Sequence, residues 1–328
     1  MHHLTLSNAE FEGNNSIYLL GADGSGPLTL VDTGVATEPV RTELEASLAA
    51  HGVALEDLEQ VLLTHWHHDH AGLAGAIQAA SGATVYVHPA DAPLVAHDPD
   101  ALADLTERQT AALDEWGMPP EPRSALLDFL ERHDGLRGDG ARVTQLEDGD
   151  TLAAGPFELT VVHLPGHAAG LVGYVFEREG REEAFLGDAV LPKYTPNVGG
   201  ADIRVEQPLG SYVASLRRTI DLDLDRAWPG HRGPLIDPSG RAEDILEHHE
   251  QRTARVLSVL RDGGTMTPWA VSATLFGTLE NIHILHGPGE AYAHLTHLEA
   301  AGMVRRSPDG YQLVGDPTVS EAVASLHP

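Results

Sequence analysis

Apolar positions along the chain change their period several times, and each change marks an element. Residues 16–20 (SIYLL) and 28–31 (LTLV) are short β-rich runs. The turn-forming segment GADGSGP lies between them, so the pair reads as two strands joined as in a hairpin. Over 38–51 the spacing becomes helical, with Val40, Leu44 and Leu48 on one face. An apolar strand at 60–63 runs straight into a histidine-rich segment. A helix is expected over 71–80 with Gly82 as its stop, then a strand over 84–87. Residues 91–140 differ: helical stretches at 101–116 and 123–133 lie between Pro- and Gly-bearing breaks. They read as a helical insertion covering one side of a site. Strands resume at 157–162, 171–176, 184–186 and 226–228, with a helix near 208–220. A long amphipathic helix over 241–262 leads to a hinge at Gly263-Gly264. The pair His248-His249 on that helix reads as a surface pair.

Beyond the hinge the pattern changes again. Thr267-Pro268 is an N-cap followed by proline at the first helical position. A short helix over 269–276 and a second over 288–301 are expected, the second with Tyr292, Leu295 and Leu298 as its apolar face. Residues 303–314 then read as strand, turn, strand. Helices followed by a hairpin make a winged-helix pattern. The expected organisation is an α/β main domain over 1–262 and a small winged-helix-like domain over 263–328.

Composition narrows the chemistry. Hydrophobic residues make up 42% and charged residues 21% of the 328, an ordinary globular balance. No run approaches the roughly 20 apolar residues of a membrane span, and the first residues lack the pattern of a signal peptide, so a cytoplasmic protein is expected. There is no cysteine. Any metal must therefore be held by His, Asp or Glu, and a cysteine nucleophile is excluded. Acidic residues number 49 against 20 basic ones, a formal net charge of −29, and Lys193 is the sole lysine. Such a surface repels polyanions and anionic lipid unless salt screens it. A salt-adapted protein is the favoured reading of that surface.

The candidate chemistry is concentrated in Thr64-His-Trp-His-His-Asp-His-Ala-Gly72. His65, His67, Asp69 and His70 offer four donors within six residues at the end of a buried strand. Buried imidazoles without a cation would carry unsatisfied or mutually repelling groups. Neutral imidazole and carboxylate suit zinc or iron. Three further segments share one grammar, a strand that ends in glycine and then a donor. They are Val161-Val-His-Leu-Pro-Gly-His167, Phe185-Leu-Gly-Asp188 and Ala227-Trp-Pro-Gly-His231. A glycine there lets backbone approach an ion closely, and strand C-terminal ends are where α/β sites are usually built.

The segment Thr64–Gly72 resembles the HxHxDH motif of the metallo-β-lactamase superfamily, and Asp32-Thr-Gly34, His167, Asp188 and His231 match its other motifs in order. The resemblance spans roughly residues 4–250. It implies an αββα sandwich with a metal pair at one edge. It further implies that His65, His67 and His167 hold one ion, that Asp69, His70 and His231 hold the other, and that Asp188 bridges them. Asp32 is expected beneath the site, bonded to a ligand rather than to metal. Two Zn2+ are expected, with Mn2+ or Fe2+ as alternatives. Such a pair can share a hydroxide and polarise the bond under attack, and Asp69 is expected to orient that hydroxide and accept its proton. His68 occupies a variable position of the motif and is expected to face solvent or lie behind the ligands.

Substrate contacts are sought in the loop after Asp188, where Lys193, Tyr194 and Asn197 are the candidates. Among family branches, the metal motifs resemble those of glyoxalase II, a thioester hydrolase. The tail instead resembles β-lactamase-like proteins with a C-terminal winged helix, some of which cleave single-stranded RNA. The basic residues over 265–328 are Arg305 and Arg306, outnumbered by acidic ones, whereas a nucleic-acid reader needs a basic face. The expected activity is therefore hydrolysis of a small ester or thioester, with a phosphodiesterase or endoribonuclease as the alternative. The tail is expected to pack against the main domain or a second copy in a homodimer.

Overall fold

The computed structural model describes residues 1–8 and 13–327. One sheet contains β1 (His2–Leu6), β2 (Asn15–Leu20), β3 (Thr29–Val31), β4 (Gln60–Leu62), β5 (Thr84–Val87) and β6 (Val143–Gln145) in that order. Its first two pairings are antiparallel and the other three parallel. The second sheet contains β7 (Thr151–Ala154), β8 (Phe157–His163), β9 (Val172–Arg178), β10 (Arg181–Gly187) and β11 (Arg226–Pro229). Only its β10–β11 pairing is parallel.

The sheets face each other across a shared core. Tyr18, Leu20, Val31 and Leu62 of the first meet Leu159, Val161, Tyr174, Phe185 and Trp228 of the second. Helices cover both outer faces. On the first sheet, α1 (Glu38–Ala49) turns Val40, Leu44 and Leu48 inward. The short α2 (His68–Ala71) and α3 (Ala74–Ser81) lie on the same side. Then come the insertion helices α4 (Ala92–Val95), α5 (Pro99–Glu115) and α6 (Pro120–His133). The second sheet is covered by α7 (Pro208–Asp221) and the 26-residue α8 (Pro238–Gly263). The expected αββα sandwich is thus present. Hydrogen bonds between sheets pin the strand ends: Tyr174 Oη donates to Leu63 O at 2.7 Å, and Tyr18 Oη donates to Pro229 O at 2.6 Å.

The C-terminal segment comprises α9 (Pro268–Phe276), α10 (His283–Ala300), the hairpin β12 (Val304–Ser307) and β13 (Gly310–Leu313), and α11 (Val319–Ala324). Thr267 caps α9, its hydroxyl accepting from Ala270 N. Val256, Leu257 and Leu260 of α8 pack against Val271, Leu295, Leu298 and Tyr311. Ile284 and Leu285 of α10 pack against Leu113, Trp116 and Leu126 of the insertion.

Several boundaries depart from the sequence pattern. The helix expected over 71–80 divides into α2 and α3 around Gly72. A Cβ there would lie 2.7 Å from Ala36 N and 2.8 Å from Gly34 O, so the chain needs glycine for a close backbone approach. The helix expected from Pro288 begins five residues earlier, with Pro288 inside it. Its walls override the proline signal: Gly287 and Pro288 are both buried in tertiary contacts. The short β6 and β7 do not stand out in the pattern, because three- or four-residue edge segments show too little alternation.

Candidate metal centre

All seven donor residues meet at one end of the sandwich. His65 follows β4, and His67 lies at the start of α2, which carries Asp69 and His70. His167 follows β8, Asp188 follows β10 and His231 follows β11. His65 Nε2 lies 2.9 Å from His67 Nδ1, which lies 3.1 Å from His167 Nε2. On the other side, His231 Nε2 lies 3.3 Å and His70 Nε2 3.6 Å from Asp69 Oδ2. Asp188 stands between the groups. Its Oδ1 is 3.5 Å from His70 Nε2, and its Oδ2 is 3.5 Å from His231 Nε2 and 3.7 Å from His167 Nε2. Donor atoms of His65, His67 and His167, and separately of Asp69, His70 and His231, each lie within 4.8 Å of one another.

Glycine makes the close approach feasible at two of the three strand ends. A Cβ on Gly230 would lie 2.4 Å from Asp188 Oδ1 and 2.5 Å from His70 Cε1. Gly187, at φ +50°, would place one 2.6 Å from Thr64 Cβ. Gly166 is different: its Cβ would strike Tyr212 of α7, so that glycine serves helix packing rather than the donors.

Every imidazole has its remote nitrogen engaged. His65 Nδ1 meets Thr64 Oγ1 at 3.0 Å, His67 Nε2 meets Ala201 O at 3.1 Å, and His167 Nδ1 meets Asn197 O at 2.9 Å. His231 Nδ1 meets the Gly13 carbonyl at 3.1 Å. His70 Nδ1 meets Asp32 Oδ2 at 2.9 Å. Such contacts orient a ring and fix its tautomer. Asp32 adopts φ +58° and also accepts from Thr64 N at 2.8 Å. This turns its carboxylate under the loop rather than toward the other donors.

Three of the inward atoms, by contrast, lack partners among the described residues. His70 Nε2, His231 Nε2 and Asp188 Oδ1 are buried without a hydrogen bond, which is costly for polar groups unless something else engages them. The donors therefore fit cations. Electrostatics divides the imidazoles into two kinds. Burial, with neighbouring imidazoles, pushes His65 well below its ordinary range and His67 down to about 3. Burial also lowers His167. Burial opposes protonation of His70 and His231 too, but Asp69 and Asp188 outweigh it. His70 is held well above its usual value and His231 at about 10. Asp188 and Asp69 are correspondingly held low by His231 and His70 against the penalty of burial. In the metal-free protein, positive charge is drawn to where the carboxylates are, and protons occupy positions that cations would take.

The loop after Asp188 divides its candidates. Asn197 gives its carbonyl to His167, while its side chain donates to His286 O and accepts from Gly200 N. That side chain is occupied in joining the loop to α10. Tyr194 is 44% exposed, with Lys193 Nζ 5.2 Å from its ring centre on the loop and Arg232 Cζ 4.9 Å from it. His68 lines a small hollow together with Trp66, Leu94 and Arg137.

Sequence reasoning missed Asn8 and Asn15, whose amides each donate to Asp69 Oδ2 at 3.2 Å. It also missed the carbonyls of Gly13, Asn197 and Ala201. No motif marks these groups; the only sequence signal was the asparagines themselves beside apolar runs.

The family model described as metallo-beta-lactamase superfamily matches residues 11–231. The chain is similar to the protein named probable metallo-hydrolase YqjP of Bacillus subtilis (strain 168), with 30% identity over 88% of this chain and 88% of that one. It is also similar to the beta-lactamase-like protein 2 homolog of Drosophila melanogaster, with 28% identity over 94% of this chain and 90% of that one. Among solved structures, a metallo-beta-lactamase family protein from Thermus thermophilus superposes with a TM-score of 0.81 at 30% identity, covering 95% of this chain and 98% of that one.

Proposed function

The chain belongs to the metallo-beta-lactamase superfamily and is a metal-dependent hydrolase; from that premise we propose that it uses two divalent cations, zinc foremost, to hydrolyse a small ester or thioester. The observation that carries this reading is the pair of donor trios with Asp188 between them, where the buried His70 Nε2, His231 Nε2 and Asp188 Oδ1 have no hydrogen-bond partner among the described residues. His65, His67 and His167 would hold one ion, Asp69, His70 and His231 the other, and Asp188 both. When bound, such a pair supplies a water acidic enough to attack at neutral pH and a Lewis acid for the scissile carbonyl.

The protein's own groups do the rest. Asn8 and Asn15 hold Asp69 through its Oδ2, and Asp69 would orient the attacking water and take its proton. Tyr194 offers an exposed ring on the loop after Asp188. Lys193 and Arg232 beside it form no ion pair among the described residues. In a chain with a net charge of −29, two unpaired cations there suit a substrate carrying an anionic group. Phosphodiester cleavage is the weaker alternative, because Arg306, half of the tail's basic pair, is already bound to Glu115 at 2.8 Å.

The test is a parallel screen of acyl-thioester, ester, phosphodiester and RNA substrates with zinc-loaded protein in high salt, alongside metal analysis. Turnover of thioesters or esters with two zinc ions per chain is expected. Cleavage of RNA or phosphodiesters alone, or activity with a single iron, overturns the reading. The acidic surface further supports adaptation to salt: the thermal midpoint should rise from low to molar salt, and a flat response removes that part of the reading.

A further inference from the structure

A buried ionic cluster lies behind one half of the donors and takes no direct part in the chemistry above. Asp91 and Asp202 are fully buried, and Arg204 lies between them. The guanidinium donates from Nη2 to Asp91 Oδ1 and Asp202 Oδ2, both at 2.6 Å. It also donates from Nε to Asp202 Oδ1 at 2.8 Å and from Nη1 to Ala90 O at 2.6 Å. Only a planar fork of donors can serve all four acceptors together.

The two carboxylates pass this hold on to the ligand loops. Asp91 Oδ2 accepts from the backbone of Trp66, which stands between His65 and His67, at 3.1 Å. Asp202 Oδ2 accepts from the Trp66 indole at 3.2 Å. Beyond His167, Ala169 N donates to Asp202 at 2.8 Å and Gly170 N donates to Asp91 at 3.0 Å. Asp202 also follows Ala201, whose carbonyl receives His67 Nε2. The other half of the site is held by different groups, Asp32 on His70 and the Gly13 carbonyl on His231.

We propose that Arg204 is a positioning residue that sets the geometry of the His65–His67–His167 half, and so the affinity of that half alone for its ion. The proposal rests on the two-ion reading. Without Arg204, two carboxylates would face each other in a low dielectric and release the Trp66 and Ala169–Gly170 backbones.

The experiment compares wild type with Arg204→Lys, and with the charge-relieved double variant Arg204→Met, Asp91→Asn in case the first folds poorly. Zinc is titrated under metal buffering, nitrogen NMR signals of the histidine rings report which half fills, and hydrogen exchange is followed at Ala169 and Gly170. Affinity at the His65–His67–His167 half should fall about 10–100-fold, with the other half little changed, and the two amides should exchange faster. Folded variants that bind both ions as tightly as wild type overturn the proposal, as does equal weakening of both halves. A wild-type protein that takes up no zinc overturns the two-ion reading instead. The amide exchange then decides the positioning role by itself: unchanged exchange at Ala169 and Gly170 overturns it.

Discussion

Two groups of buried imidazoles in this molecule differ in whether carboxylates face them. At the sheet ends, five imidazoles surround Asp69 and Asp188. At the α8–α10 interface, His249 Nδ1 lies 3.4 Å from His294 Nε2, and Thr253 Oγ1 lies 2.8 Å from His294 Nδ1. There the nearest ionic groups, Arg252 and Glu290, are paired with each other at 2.6 Å. Burial, then His248 and Arg252, pushes His249 down to about 3, and burial also drives His294 well below its usual range. At the sheet ends the carboxylates reverse that sign for His70 and His231. Imidazoles alone make a neutral core contact; imidazoles around unpaired carboxylates make a place for cations.

The largest expected effect that tests this contrast comes from His67→Ala. Activity should fall by at least about 10²-fold, the worth of one electrostatic element of a polar site, with loss of one bound ion and a retained circular-dichroism spectrum. Unchanged turnover would remove His67 from the ligands. Next comes Asp32→Asn, which weakens the hold on His70 Nδ1. Metal affinity should drop about 10–100-fold at the His70 half, with a smaller loss at His65 through Thr64, which Asp32 also holds.

Acidity should separate the imidazoles beside carboxylates from the others in the metal-free protein. His249 has a folded value of about 3 against 6.5 when unfolded, so its contribution is complete above pH 6.5 and is lost as pH falls toward 3. His231 has a folded value of about 10. Its contribution is complete below pH 6.5 and is lost as pH rises toward 10. Urea midpoints across this range should decline on both sides, and zinc should abolish only the alkaline decline, because bound metal replaces the proton. The smallest effect is expected for His249→Leu. It removes one buried nitrogen that has no hydrogen-bond partner among the described residues, which offsets loss of the long 3.4 Å contact of the other with His294, so stability should change by no more than about 1 kcal/mol, with zinc content and turnover unaltered. A loss of zinc in that variant would break the contrast.

The sequence pattern leads to one error that bears on this comparison. It places His248 and His249 of the long amphipathic helix at the surface, yet His249 is fully buried against Tyr212 and His294. Helical spacing does put it on the same face as Ile245 and Thr253, but a histidine among charged neighbours looks polar until its partner helix is known. Likewise Asn197 suggests a substrate contact because it lies near Asp188 in the chain, while its side chain proves to be tied to α10 and the loop itself.

The sequence by itself determined the scaffold and which imidazoles and carboxylates would gather at its edge. Periodicity located most strands and helices, and donors at strand ends in Gly-His and Gly-Asp contexts declared the chemistry, because both signals are local. Tertiary structure alone decided what steadies the donors. The partners of His67, His167 and His231 are backbone carbonyls, which every residue possesses and no motif distinguishes. Arg204, Asp91 and Trp66 are far apart along the chain. They act together only because sheet packing brings their loops to one buried point, where a low dielectric makes a single guanidinium matter to four segments at once.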